Sequence, residues 1–179
     1  ESIRREGEIP LVKVAVGDDY SAEPPPLKPW VVGVSVVKER NFELSIRMLS
    51  ELGLEGIVPL VSERGQISLA AGSGKIERWR RIALESAKQC GRSSLLDIRE
   101  PSSIGDLLDT ETARDLWIAH PGGLQPSWSD FIGPDGLTPA LFLVGPEGGF
   151  STSEIDLCSE QGARLCGFPV PVMRTPVAV

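Results

Sequence analysis

Apolar residues recur along the chain in two alternating rhythms, short β-branched runs and longer stretches with a helical repeat. Trp30 to Val37 is a run of the first kind and predicts a buried strand. Phe42, Ile46 and Leu49, with Leu52 near the end, form a helical stripe with Asn41 as the expected N-cap and Gly53 closing it at C′. Ile57 to Val61 predicts a short strand. Lys75 to Cys90 predicts a second helix, with Ile76, Trp79, Ala83, Ala87 and Cys90 along one face. Leu116 to Ala119 and Leu141 to Val144 are expected strands and Ser153 to Gln161 an expected helix. A last β-to-helix stretch begins near Leu165. Strands alternating with helices predict an α/β fold with a mostly parallel sheet.

The N-terminal stretch breaks this rhythm. Leu11 to Val16 predicts one strand ending at the turn signal Gly17-Asp18-Asp19, and one strand with a turn is not a domain. Pro24-Pro25-Pro26 cannot continue a helix or a central strand, so the chain there reads as an extended linker. The expected organisation is a remnant of another unit over 1–23, a linker over 24–29 and the main domain over 30–179. The sequence shows neither an internal repeat nor a low-complexity tract.

Composition narrows the class without naming a function. A chain of 179 residues is long enough for one domain with a core, and 41% hydrophobic with 24% charged residues excludes wholesale disorder. No apolar run approaches the ~20 residues of a membrane span, and the charged start Glu1-Ser2-Ile3-Arg4-Arg5 does not read as a signal peptide. Three cysteines and one histidine supply neither a disulfide scaffold nor a usual metal set. These features predict a cytoplasmic protein with no metal and no membrane partner. A net charge of −7 argues against a strongly electrostatic nucleic-acid binder, although it leaves room for a local basic face. One such cluster lies on the second helix, where Lys75, Arg78, Arg80, Arg81 and Lys88 face only Glu77 and Glu85. Taken alone, it reads as a solvated helix surface.

The most informative stretch runs from Leu141 to Glu154: an apolar strand, the loop Gly145-Pro146-Glu147-Gly148-Gly149-Phe150, and a helix. Ser151 and Glu154 have capping-box spacing, while Phe150 and Ile155 stand at the positions of a hydrophobic staple. The loop therefore lies outside the carboxyl end of a strand, where open α/β sheets bind ligands. A carboxylate within it opposes a phosphate and suits hydroxyls or positive charge, such as a ribose or a sulfonium. A tight turn is the competing reading. Gly72-Ser73-Gly74-Lys75 resembles half a phosphate-binding motif but fails it, with Leu69 and Ile76 at two required positions. His120, before Pro121-Gly122-Gly123, marks a second loop at a strand's carboxyl end. It reads as a polar loop residue or a general base, with no G-x-S-x-G elbow to supply a nucleophile. Cys158 and Cys166 read as small core residues.

The segment Gly145-Pro146-Glu147-Gly148-Gly149-Phe150-Ser151 closely resembles the signature loop of the 16S ribosomal RNA uridine-N3 methyltransferases, members of the SPOUT (trefoil-knot) superfamily. Three further blocks resemble that family in order and spacing: Glu51 to Arg64, Arg78 to Arg92, and Met173-Arg174-Thr175. The resemblance spans roughly residues 11–179. It implies a deep C-terminal trefoil knot within the α/β fold and a remnant of an N-terminal PUA-like β-barrel over 1–23. It further implies S-adenosylmethionine bound within the knot, a homodimer, and methylation of a uridine N3 in 16S ribosomal RNA of the small subunit. The cofactor residues it implies are His120, Pro121, Gly122, Val144, Gly145, Pro146, Gly148, Gly149, Leu165, Cys166, Gly167 and Met173. Arg174 and Glu147 are the implied catalytic pair, and Arg78, Arg81, Lys88 and Arg92 the implied RNA contacts. The chain departs from the family pattern where Pro176 follows Arg174-Thr175 and where Cys166 to Val172 holds no arginine. Those departures motivate an alternative, a non-catalytic RNA- or adenosine-binding module of the same fold.

Overall fold

A sheet covered on both faces asks for strands that are apolar throughout, and the runs read from the sequence become such strands. The computed structural model describes residues 2–6, 9–13, 28–36, 38–65 and 74–167. An N-terminal hairpin of β1 (Ser2–Glu6) and β2 (Ile9–Lys13) pairs antiparallel as a two-stranded sheet of its own. The sequence had suggested one strand there, from Leu11 to Val16. The observed strand starts two residues earlier and has a partner, while residues 14–16 lie outside the described residues.

The main sheet is built from β3 (Lys28–Ser35), α1 (Glu39–Leu52), β4 (Leu54–Val61), α2 (Lys75–Gln89), β5 (Asp97–Ile98), β6 (Ser102–Ser103), α3 (Ile104–Thr110) and β7 (Asp115–Leu124). It is completed by β10 (Ala140–Val144), α4 (Thr152–Glu160) and β11 (Arg164–Cys166), after a 3₁₀ turn (Trp128–Phe131) and a small hairpin of β8 (Ile132–Gly133) and β9 (Gly136–Leu137). The strand order is β11-β7-β10-β3-β4-β5, with β6 also paired to β4, and every pairing in this sheet is parallel. Because β3 begins at Lys28, the last two residues of the expected linker belong to the sheet.

The alternation of side chains along each strand separates two cores. Val32, Val34, Val36 and Val144 pack against Phe42, Ile46, Leu49, Trp79 and Ala83 of α1 and α2. Val31, Val58, Leu60, Leu141 and Leu143 pack on the opposite face with Leu107 and Leu108 of α3 and Cys158 of α4. Trp79 is fully buried, its ring centroid 4.5 Å from that of Phe42. At the amino ends of the strands, Arg114 pairs with Glu55 and Glu111 and donates to the Pro29 carbonyl at 2.7 Å, while Arg99 pairs with Glu55, Glu111 and Asp97. That network closes the end of the sheet opposite the glycine-rich loops.

Three local expectations are corrected. Helix α1 starts at Glu39 with Lys38 as its N-cap, because the Lys38 carbonyl already accepts the N–H groups of Asn41 and Phe42. Asn41 is therefore inside the first turn, and its carbonyl accepts the Ser45 hydroxyl. Leu52 is 51% exposed and does not extend the stripe, although Gly53 closes the helix in the left-handed conformation as expected, with φ 73°. Cys90 likewise lies outside the buried stripe of α2, where Trp79, Ala83 and Ala87 carry the packing.

Candidate functional site

Parallel order places the carboxyl ends of β11, β7 and β10 side by side, so the three segments singled out in the sequence are neighbours. His120 to Gly123 corrects one expectation. These residues belong to β7, which continues to Leu124, and do not form a separate loop. The ladder to β10 ends at Ile118, and the ladder to β11 passes from Ile118 directly to Leu124. Ala119 to Gly123 thus bulge out of the ladder between β7 and β11.

Two glycines let this bulge touch β11 backbone to backbone. A Cβ on Gly123 would lie 2.5 Å from the Cys166 carbonyl carbon, and one on Gly167 would lie 2.6 Å from the His120 carbonyl oxygen. The Gly167 N–H donates to the Leu124 carbonyl at 3.0 Å and fixes that approach. The Gly122 N–H donates to His120 Nδ1 at 3.0 Å, which in the neutral ring leaves the proton on Nε2. Leu165 is half-buried, and Cys166 and Gly167 are buried.

The β10 loop has the local structure its sequence predicts. Val144 is buried at the strand end, Pro146 is buried beyond it, and Glu147 and Gly148 are exposed at the tip. The Gly149 N–H donates to the Pro146 carbonyl at 2.8 Å, closing a turn centred on Glu147 and Gly148, and Gly149 itself then takes a left-handed φ of 68° that favours glycine. The capping box is complete: the Ser151 N–H donates to Glu154 Oε2 at 2.7 Å and the Glu154 N–H to Ser151 Oγ at 3.2 Å. Phe150 is buried in the same core that Ile155 packs against, as a hydrophobic staple requires. The Glu147 carboxylate has no hydrogen-bond or ion-pair partner among the described residues.

A fourth segment joins the site, and its role was not drawn from the sequence. Ser62 to Gly65 follows β4 and fastens to the β10 loop from across the end of β3. The Glu63 N–H donates to Glu154 Oε1 at 2.9 Å, and Glu63 Oε1 accepts the Ser153 hydroxyl at 2.8 Å. Arg64 Nη1 donates to the Gly148 carbonyl at 2.7 Å and to the Phe150 carbonyl at 3.3 Å. The Ser62-Glu63-Arg64 triplet lay within a block resembling the family, and that was its only signal.

The remaining site residues divide. Met173 and Arg174 lie outside the described residues. Among the expected RNA contacts, Arg78 is paired with Glu43 at 2.8 Å and Glu39 at 3.8 Å, and Lys88 with Glu85 at 3.5 Å. Arg92 lies over Gly53 and donates to the Glu51 carbonyl at 3.1 Å. Arg81 is exposed and free of ion pairs among the described residues. Burial first, and the Glu154 carboxylate second, push the Cys158 thiol up to about 11, and burial also raises that of Cys166. Neither is a thiolate nucleophile near neutral pH. Among the described residues, no group of three or more His, Cys, Asp or Glu could hold a metal ion, and no helix is long and apolar enough to cross a membrane. What the arrangement offers is glycine-opened backbone, the exposed Glu147 carboxylate and one histidine at a sheet's carboxyl edge, which suits a polar ligand held by main-chain groups.

Known proteins agree with this architecture. The RNA methyltransferase domain family matches residues 23–179. The ribosomal RNA small subunit methyltransferase E of Aquifex aeolicus is 29% identical over 140 residues, covering 78% of this chain and 59% of its own. The protein of that name from Bacillus subtilis is 27% identical over 161 residues, 86% of this chain and 62% of its own. The chain thus spans about 60% of the length of these relatives. Among solved structures, a Legionella pneumophila protein described as a methyltransferase, in complex with S-adenosylmethionine, superposes with a TM-score of 0.76 at 29% identity, covering 86% of this chain and 62% of that one. A ribosomal RNA small subunit methyltransferase E from Neisseria gonorrhoeae shares the fold with a TM-score of 0.74 at 23% identity, covering 90% and 65%. With a parallel α/β sheet of this order and a family match over most of its length, the chain belongs to the RNA methyltransferase domain family.

Proposed function

We propose that this chain is the methyl-transfer domain of an enzyme that moves a methyl group from S-adenosylmethionine to N3 of a uridine in small-subunit ribosomal RNA. The observation that carries the reading is the convergence of the β7 bulge, the β10 loop and the end of β11 at one sheet edge. The relatives' names support methyl transfer to small-subunit ribosomal RNA and favour it over a non-catalytic binding module, and the ligand of the Legionella structure supports the methyl donor.

The residues present fit that donor. Gly148 is exposed, and a Cβ there would meet only the Arg64 Cδ at 3.7 Å, while one on Gly149 would meet nothing within 4 Å. Neither therefore puts a side chain in the way of an adenosine approaching this stretch of backbone. His120, Pro121, Gly122, Val144, Gly145, Pro146, Leu165, Cys166 and Gly167 complete the proposed wall, with Met173 as an apolar contribution from the C-terminal segment. S-adenosylmethionine supplies a methyl activated by its sulfonium. The chain's task is to hold both reactants in line and to help uracil N3 lose its proton. Glu147 is placed to take that proton or to hold the donor's ammonium, because its exposed carboxylate stands at the loop tip. Arg174 is assigned to the uracil or its neighbouring phosphate, where a fixed cation favours the anionic base.

On the same reading, residues 30–179 form the SPOUT domain with a C-terminal trefoil knot, and it acts as a homodimer in the cytoplasm. Residues 1–23, whose two strands form their own sheet, belong to a PUA-like unit, with 24–29 as the connection, the last two residues of which already open β3. Of the basic residues on and beside α2, Arg81 is freest to meet RNA phosphate, whereas Arg78, Lys88 and Arg92 must first leave their partners. The test is incubation with small ribosomal subunits and methyl-labelled S-adenosylmethionine, followed by nucleoside analysis of the RNA. Label in N3-methyluridine is expected. Label in a ribose methyl, or none in the RNA, would overturn the proposal.

A further inference from the structure

The β10 loop contains Gly145, Gly148 and Gly149 within five positions, and glycine carries the largest backbone entropy of any residue. Left to itself, such a loop would sample many conformations, and a ligand that needs one of them would bear the ordering cost on binding. The loop's own turn supplies one restraint, the bond from the Gly149 N–H to the Pro146 carbonyl. The others come from a different part of the chain. Arg64 Nη1 donates to the carbonyls of Gly148 and Phe150, two residues apart, and the adjacent Glu63 N–H donates to Glu154 Oε1 at the start of α4. Two carbonyls so spaced converge on one nitrogen while Gly149 stays left-handed. The guanidinium therefore selects one state of the loop. Arg64 is itself exposed, so it contributes little to the core.

We infer that Arg64 is a positioning residue for the methyl-donor site: it holds the Gly148–Phe150 main chain in its ligand-ready conformation from the end of β4. The inference rests on the function proposed above and adds to it a residue outside the three segments assigned to the donor. A charged donor serving two carbonyls is stronger than a neutral one, and its removal returns the glycines to their free ensemble. Lysine keeps the charge but presents a point ammonium in place of a planar fork, so it restores the restraint only in part.

The experiment compares the unaltered chain with Arg64→Ala and Arg64→Lys by calorimetric titration with S-adenosylmethionine, alongside thermal melting and amide hydrogen exchange. Arg64→Ala is expected to bind roughly ten- to a hundred-fold more weakly. Its melting temperature should stay within about 2 °C and its Gly148 and Gly149 amides should exchange faster. Arg64→Lys is expected to fall between the two. Affinity of Arg64→Ala within twofold of the unaltered chain would overturn the positioning role, as would unchanged affinity of Arg64→Lys where that variant alone folds, and so would a loss of affinity that merely follows a fall in melting temperature. Should Arg64→Ala fail to fold, the lysine variant decides alone. No binding by the unaltered chain would instead overturn the methyl-donor reading itself, an outcome distinct from the others.

Discussion

Gly123→Ala places one methyl group where the β7 bulge and β11 meet. The added Cβ would lie 2.5 Å from the Cys166 carbonyl carbon, 2.7 Å from the Cys166 nitrogen and 2.7 Å from the Leu165 carbonyl carbon. Carbon atoms in comfortable contact are about 3.5–4.0 Å apart, so something must move by about 1 Å. All three obstacles are backbone, and no side-chain rotation relieves them. Strand β11 is short and, among the described residues, lies at the sheet edge and pairs with β7 alone, so its withdrawal is the easiest relaxation. That withdrawal breaks the Gly167 N–H bond to the Leu124 carbonyl and loosens the adjoining ladder. Overpacking of this kind costs about 1–3 kcal/mol and each lost hydrogen bond about 1 kcal/mol, so the variant should lose about 2–4 kcal/mol. For a chain of this size, that corresponds to a fall of about 5–15 °C in melting temperature, readable by circular dichroism. Affinity for S-adenosylmethionine should fall as well, because two of the proposed wall segments part. Gly105→Ala is the control: its Cβ would meet nothing nearer than Leu157 Cδ2 at 3.9 Å, and it lies in helix α3. It should be neutral or stabilising by up to about 0.5 kcal/mol. A Gly123→Ala chain that melts within about 1 °C of the unaltered one and binds as tightly would refute the backbone-to-backbone contact.

Other consequences follow from groups that the fold buries. Glu154→Gln replaces one of two carboxylate oxygens by an amide, which must face a backbone N–H of Ser151 or Glu63. About 2–3 kcal/mol of stability should be lost in urea denaturation, and a change below about 0.5 kcal/mol would mean that the bonds are not formed. Only Cys90 is exposed among the three thiols, so an aromatic disulfide reagent should titrate one thiol rapidly in the folded chain and all three in denaturant. Rapid reaction of all three would contradict the burial of Cys158 and Cys166. The Cys158 thiol titrates near 9 when unfolded and about 11 when folded. Between those values the unfolded chain releases its proton first, so this group makes stability fall as pH rises through that window and leaves it unchanged below. Urea midpoints compared between the unaltered chain and Cys158→Ala across pH 8 to 11 measure the effect, and parallel curves would contradict it.

Much of the architecture was legible because its causes are local. β-Branched runs marked the strands buried on two faces, and the Ser151–Glu154 box with its staple fixed where the β10 loop meets α4. Gly53 announced the end of α1 for the same kind of reason, a left-handed cap that glycine adopts without penalty. The start of α1 was misread because Lys38 has no capping side chain, and the backbone alone begins the helix there. His120 to Gly123 read as a loop because Pro-Gly-Gly is a turn signal. Only the registers of β10 and β11 show that the strand resumes at Leu124. The basic cluster on α2 kept its composition but not its freedom, since Glu39 and Glu43 reach it from a neighbouring helix. Arg64 was hidden for a similar reason: its acceptors lie more than eighty residues away along the chain, at Gly148 and Phe150. Contacts made by packing leave no mark on the local pattern.

The ligand taken at the β7, β10 and β11 edge decides what this domain does. Calorimetric titration of the chain with S-adenosylmethionine, with ATP as the comparison, tests it most directly. Saturable binding of the methyl donor, weakened by Gly123→Ala, and no binding of ATP is the predicted result. Binding of ATP in preference, or of neither ligand, would contradict the assignment of that edge as the methyl-donor site.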